Sequence, residues 1–255
     1  MNGRRRIPQI VRAWRLARLA WHLLGGVCIT ALVLPRLGTE RREQRIQRWC
    51  AKLLQILNAR VTVLGAPPPA GTRATLFVAN HISWIDIWAL KATYPMRFVA
   101  KAEIRDWPLV GWLAAQTGTL FITRERRHDT GRVVRAVEQA LREGGCLCLF
   151  PEGTTSDGTR LMPFKASLTQ AAIAAHAQLW PLAIRYPAEG GRPNTAIAYH
   201  GDMTMAQSLR QVLEQKKIEI ELQFASPMQA SARERRELAA QARREIAALL
   251  NLPAH

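Results

Sequence analysis

Acidic residues are scarce in this chain: 19 Asp and Glu face 36 Lys and Arg, for a formal charge of +17 over 255 residues. Cysteine is scarce as well. Cys28, Cys50, Cys146 and Cys148 contain no CxxC pair, which excludes a disulfide framework or a zinc ribbon and predicts reduced, buried thiols. The six histidines include no pair at ligand spacing, so no metal is expected. Internal repeats and low-complexity linkers are absent, which excludes solenoids and a disordered tether. What remains is 48% apolar and 22% charged, the profile of a globular chain. Its length suits one domain with a real core and a short appendage.

The basic excess is uneven. Residues 1–60 hold 13 Lys and Arg against Glu40 and Glu43, net +11, whereas residues 61–255 hold 23 against 17, net +6. A nucleic-acid binder would cluster cations with aromatics on its globular part. Here the cations flank an apolar run, so an anionic membrane surface is the expected partner and nucleic acid is not.

Arg4, Arg5, Arg6, Arg12, Arg15 and Arg18 precede the apolar run at 19–34. No A-x-A cleavage site follows, which argues against a signal peptide. Arg36, Arg41, Arg42, Arg45, Arg48 and Lys52 come next instead. Sixteen helical residues span about 24 Å, short of a ~30 Å hydrocarbon core. With both flanks basic, the run is expected to dip into one leaflet rather than cross. A second helix near 40–58 would lie on the headgroups, with Ile46, Trp49, Leu53, Ile56 and Leu57 recurring at helical spacing. Residues 1–60 thus read as a membrane-associating helical pair and 61–255 as the globular domain.

From residue 61 strand and helix patterns alternate. Strands are predicted over 61–64, 74–79, 97–100, 118–123, 146–150, 179–186, 195–199 and 217–224. Helices are predicted over 130–143, stopped by Gly144-Gly145, and over 165–177. A last helix should follow a capping box of Ser231 with Glu234, burying Leu238, Ile246, Leu249 and Leu250. Cys146 and Cys148 should share one sheet face. The implied fold is α/β, with a mixed, largely parallel central sheet flanked by helices.

Three strand ends carry chemistry. NHISWID at 80–86 follows a buried strand, where open α/β sheets gather their functional groups. His81 is the side chain suited to take a proton near neutral pH, and Asp86 could fix its tautomer. Five residues of regular helix would leave the two about 140° apart, so they meet only if His81 sits in the turn before the helix. FPEGTTS at 150–156 forms a tight loop in which Glu152 offers an acceptor and Gly153 a close backbone approach. GTLFITR at 118–124 ends a strand with Arg124, and Lys101 ends another. Any one of these strings alone is equally a turn, a cap or a solvated charge run.

In this order the strings resemble the glycerolipid acyltransferase family of the bacterial 1-acylglycerol-3-phosphate acyltransferase type. NHxxxxD at 80–86, GTLFITR at 118–124 and FPEGT at 150–154 match its first three motifs, and Trp180-Pro181-Leu182 loosely matches the fourth. KAEIRDWPLVG at 101–111 also looks like the family's stretch between the first two motifs. The resemblance covers about residues 60–225. It implies a glycerol-3-phosphate acyltransferase-like fold with an N-terminal helical pair. It further implies that His81 is the general base oriented by Asp86, and that a lysolipid hydroxyl attacks the thioester of acyl-CoA or acyl carrier protein directly. The absence of a GxSxG elbow agrees with a route lacking an acyl-enzyme. Arg124 and Lys101 would hold the acceptor's phosphate, with Gly118 in the same motif. Glu152, Gly153 and Thr154 would position the acceptor or the tetrahedral oxyanion. No cofactor is implied beyond the thioester co-substrate, and the expected location is the cytoplasmic face of a bacterial inner membrane. Lyso-ornithine lipid acyltransferases share these motifs, so that acceptor stands as the alternative.

Overall fold

The computed structural model describes residues 7–122, 127–231 and 233–253. The chain enters through α1 (Gln9–Cys28), which continues through a π turn (Ile29–Val33) and a 3-10 turn (Leu34–Arg36). Gln9–Arg36 is thus one 28-residue helical stretch, whose most apolar 18-residue window has a mean hydropathy of 1.6 and is 17% buried. At 1.5 Å per residue it reaches about 42 Å, longer than the apolar run alone suggested. Its length and composition would suffice to cross a membrane. α2 (Thr39–Ile56) packs back along it. The His22 and Trp49 rings stack 4.7 Å apart, and each side chain bonds the other's carbonyl. The approach requires Gly26, where a Cβ would stand 2.6 Å from the Trp49 ring.

Among the described residues eight strands form one sheet: β1 (Ala59–Gly65), β2 (Thr75–Ala79), β3 (Arg97–Lys101), β4 (Leu120–Ile122), β5 (Cys146–Leu149), β6 (Gln178–Arg185), β7 (Ile218–Phe224) and β8 (Met228–Gln229). Their order is β1-β7-β6-β2-β5-β3-β4, with β8 paired to β6. Among these pairings β6–β7 and β6–β8 are antiparallel and the rest parallel. The sheet is therefore mixed and largely parallel, as the strand and helix spacing predicts.

Side-chain alternation sorts two cores. Phe77 and Ala79 of β2, Cys146 and Cys148 of β5, and Trp180, Leu182 and Ile184 of β6 face one side. There they meet α2, α3 (Ile85–Thr93) and α7 (Met205–Leu213). Leu76, Val78, Leu147, Leu149, Leu179 and Ala183 face the other, under α5 (Arg127–Arg142), α6 (Gln170–Ala174) and α8 (Arg235–Leu250). α4 (Val110–Gln116) packs on the 3-10 turn after β3 (Ala102–Asp106), which in turn touches β3 and β4. β7 shows the buried/half-buried alternation expected of its sequence.

Four expectations need correction. Residues 195–199 form a 3-10 turn (Thr195–Ile197), because their amides leave the sheet: Ala198 N–H bonds Thr195 O, and Tyr199 N–H bonds Ile82 O at 2.9 Å. The 165–177 helix shrinks to α6, since Lys165 N–H is drawn to Pro151 O at 3.0 Å. No Ser231–Glu234 box heads α8: Glu234 itself is the N-cap and makes no side-chain cap. The capping box forms at Thr204 and Gln207 instead, heading α7. Finally, Cys28 is exposed on α1, whereas Cys50 and Cys148 are buried as expected, and burial pushes the Cys50 thiol up to about 12.

Candidate active site

The site begins where β2 stops pairing. The Asn80 side chain prolongs the ladder by two bonds to the Ile184 backbone, N–H to Oδ1 at 2.7 Å and Nδ2 to the carbonyl at 3.0 Å. His81 is thereby the first residue free of the sheet, in the turn before α3 as the spacing required. Asp86, the second residue of α3, reaches back over that turn. Its Oδ2 accepts the Ile82 and Ser83 amides at 2.7 and 2.9 Å and stands 2.7 Å from His81 Nδ1. Its Oδ1 accepts the Tyr186 hydroxyl at 2.5 Å.

Asp86 is fully buried. An unpaired buried carboxylate costs several kcal/mol, and here four donors offset that cost. An ionised carboxylate only accepts, so the ring hydrogen sits on His81 Nδ1 and the Nε2 lone pair is left over. The ring is sandwiched against Phe150, centroids 3.8 Å apart and 10° from parallel, which fixes its plane. Phe98 continues the stack at 5.9 Å.

The loop after β5 clamps the same turn. Glu152 Oε1 accepts the His81 amide at 2.9 Å and Oε2 accepts the Met162 amide at 3.0 Å. Burial raises the Glu152 carboxyl above its usual range, and these two amides oppose the rise. Ser156 N–H closes the clamp on His81 O at 2.8 Å. Gly153 has φ +77 and its amide turns back to Phe150 O, a conformation that suits glycine.

A groove of about 700 Å³ opens over His81 and runs between α1, α2 and the β3–α4 segment. Its wall is mostly apolar and its volume is typical of ligand pockets, about 300–1,000 Å³. A neutral imidazole with a free nitrogen at such a groove can take a proton from a lipid-borne hydroxyl.

Comparison with known proteins agrees with this chemistry. The family model described as Acyltransferase matches residues 59–185. The 1-acyl-sn-glycerol-3-phosphate acyltransferase of Neisseria gonorrhoeae is 39% identical over 173 residues, 68% of each chain. The lyso-ornithine lipid O-acyltransferase of Pseudomonas aeruginosa is 35% identical over 238 residues, 91% of this chain and 90% of that one. The chain belongs to the glycerolipid acyltransferase family. It is an acyl-transfer enzyme. Its fold is shared with the crystal structure of the 1-acyl-sn-glycerophosphate acyltransferase of Thermotoga maritima, at TM-score 0.65 and 20% identity over 93% of this chain and 96% of that one.

The remaining motif residues of the acyltransferase fall into different places. Gly153 and Thr154 line the groove beside His81, and so does the exposed Lys101 at the end of β3. Glu152 is 6% exposed, and both its oxygens are taken up by the backbone rather than by the groove. Gly118, at φ +79, gives its carbonyl to Arg97 Nε at 2.8 Å, and its neighbour Thr119 reaches the groove. Arg124 lies outside the described residues.

Two site residues escaped sequence reasoning. Tyr186 sits just past β6 among apolar residues, and its only signal was a hydroxyl near a strand end. Lys91 reads as the solvent face of a helix. In the acyltransferase it is buried in the groove wall, with Nζ 3.2 Å from Thr117 O and 5.8 Å from the Phe98 ring centre. Burial lowers its pKa to about 8.

Proposed function

We propose that this acyltransferase esterifies the free hydroxyl of 1-acylglycerol-3-phosphate with a fatty acyl group from acyl-CoA or acyl carrier protein. The observation that carries the reading is the His81–Asp86 pair at 2.7 Å, with the ring facing an apolar groove. His81 Nε2 takes the hydroxyl proton as the oxygen attacks the thioester carbonyl. The tetrahedral centre collapses, the C–S bond breaks, and the thiolate recovers the proton from the imidazolium. The products are a diacyl lipid and a free thiol. Asp86 stabilises the transient imidazolium by charge.

Glu152 acts as a positioning residue, holding the His81 backbone from 71 residues away. Lys101 and Arg124 neutralise the acceptor's phosphate, and Thr154 and Gly153 border the reacting centre. The chemistry needs no cofactor beyond the thioester. α1 and α2 place the groove against an anionic leaflet, on the cytoplasmic face of a bacterial inner membrane, where the net +11 of residues 1–60 is attracted.

A second reading is lyso-ornithine lipid O-acylation. It is favoured by the reach of the Pseudomonas aeruginosa relative along 91% of this chain. A guanidinium or ammonium binds a carboxylate as readily as a phosphate. Purified enzyme given labelled acyl donor and each acceptor separates the two. Turnover confined to 1-acylglycerol-3-phosphate supports the first reading, and turnover confined to the phosphate-free acceptor replaces it with the second.

A further inference from the structure

Between β3 and α4 the chain forms a compact knob at 102–112 that exposes three large apolar side chains within six residues: Trp107 (39%), Leu109 (46%) and Trp112 (38%). Isolated exposed apolar residues are ordinary, but a cluster containing two tryptophans is not. The knob is tightly built. The Trp107 amide bonds Ile104 O at 3.2 Å and the Gly111 amide bonds Trp107 O at 2.9 Å. At Gly111 a Cβ would stand 2.2 Å from Arg105 O.

Leu109 adopts φ 61, ψ −51, with Val110 N–H turned to Pro108 O at 2.6 Å. This is the γ-turn hand that L-residues adopt only under strain. A glycine there would relieve that strain. The sequence instead places leucine at the turn and presents it to solvent.

The knob is also held to the helical pair. Arg42 of α2 donates to Gln116 O at 2.6 Å, at the far end of α4. One groove runs between them, lined by Leu19, Ile29 and Leu34 on the α1 side and by Ile104, Trp107 and Val110 on the knob side. On the other rim, α1 exposes Trp14 (63%), Trp21 (78%) and Leu24 (51%).

We infer that the knob is a second lipid-inserting element, entering the same leaflet as α1 on the opposite rim of the groove. This rests on the membrane reading proposed above. Tryptophan favours the bilayer interface, where its ring is apolar and its N–H finds water or headgroups. Residues 102–112 hold Arg105 against Glu103 and Asp106, and Lys101 beside them at the end of β3 balances the remaining charge. Insertion of the knob is therefore apolar and salt-insensitive, and the electrostatic attraction belongs to α2. With both rims in lipid, a lysolipid slides from the leaflet into the groove without crossing water.

The test uses the full chain bound to phosphatidylglycerol vesicles whose acyl chains carry bromine, a contact quencher of tryptophan. The emission of one tryptophan is the difference between wild type and its Phe variant. We expect the Trp112→Phe difference to be quenched about as strongly as the Trp21→Phe difference. Quenching of Trp21 with none of Trp112 overturns the inference and leaves the membrane reading standing. Quenching of neither removes the membrane reading as well.

A second arm uses Leu109→Asp, outside the groove wall. Its KM for vesicle-presented acceptor should rise roughly tenfold, with KM for a short-chain acceptor below its micelle concentration unchanged. An equal rise for both acceptors, or loss of a detergent-stable dimer in this variant, would mean that the knob serves the groove or a second copy. Either outcome overturns the inference.

Discussion

Tyr186 donates its phenolic hydrogen to Asp86 at 2.5 Å, on the carboxylate oxygen that His81 does not use. Both groups are buried, at 2% and 0% exposure, and 100 residues of chain separate them. Burial raises the Tyr186 pKa well above its usual value and the Asp86 charge adds to the rise, so this hydroxyl stays protonated and donates. Tyr186→Phe leaves one lone-pair direction of a buried carboxylate empty. The variant should lose about 1.5–3 kcal/mol of stability in denaturant titration. It should also strengthen the pull of Asp86 on the imidazolium and move the acid limb of the kcat/KM profile to higher pH. A purely structural role for Tyr186 would lower stability and leave that limb in place.

His81→Ala should reduce turnover by about 10²–10⁴ with an unchanged circular dichroism spectrum, because the ring packs on Phe150 at the groove rather than in the core. Asp86→Asn should also lose a large factor. Its amide can donate to Nδ1 and hold the ring in the wrong tautomer. Turnover close to wild type in His81→Ala would remove the histidine from the mechanism.

Glu152→Gln presents an amide N–H₂ to one of two backbone N–H donors, His81 or Met162. It should cost about 1–3 kcal/mol and lower kcat more than it alters either KM. The native carboxyl is raised chiefly by burial, so the folded state holds its proton to higher pH than the unfolded chain does. This contribution is full below the unfolded value of about 4.3 and is lost as pH rises through the folded one. Stability profiles of wild type and Glu152→Gln between pH 4 and 7 should differ in slope with that sign.

Lys91 gives the opposite slope. Its pKa is lowered from 10.5 to about 8 by burial, so the folded state sheds its proton first. Stability should rise with pH across that window, by about 3 kcal/mol at most. Lys91→Met should flatten the rise and stabilise the protein at neutral pH, since its Nζ is held by a carbonyl. Thermal denaturation from pH 7 to 10.5 checks both statements. A wild-type profile that is flat through this range would place the ammonium in contact with water.

Much of the architecture was legible because it is written in local periodicity. The apolar runs that became β2 and β5, the alternation of β7, and the glycine stop after α5 each depend on residues a few positions apart. Cys146 and Cys148 fell on one face because a strand has period two. The errors came where backbone carbonyls of distant segments claimed the amides. Lys165 N–H went to Pro151 and Tyr199 N–H to Ile82, so a helix shortened and a strand never formed.

The sequence by itself determined the chemical inventory: a histidine and an aspartate five residues apart at a strand end, a glycine-bearing loop after another strand, and a basic, apolar entrance. It also determined that the two could meet only across the turn before α3. Tertiary structure decided what each group does with its valences. β6 lies next to β2, so Asn80 finds Ile184 and Tyr186 comes within reach of Asp86. β5 lies on the other side of β2, so the Glu152 loop closes on His81 with both oxygens occupied. Strand order sets which loops share a sheet edge, and no periodicity within a segment encodes the neighbour that a buried polar atom will find.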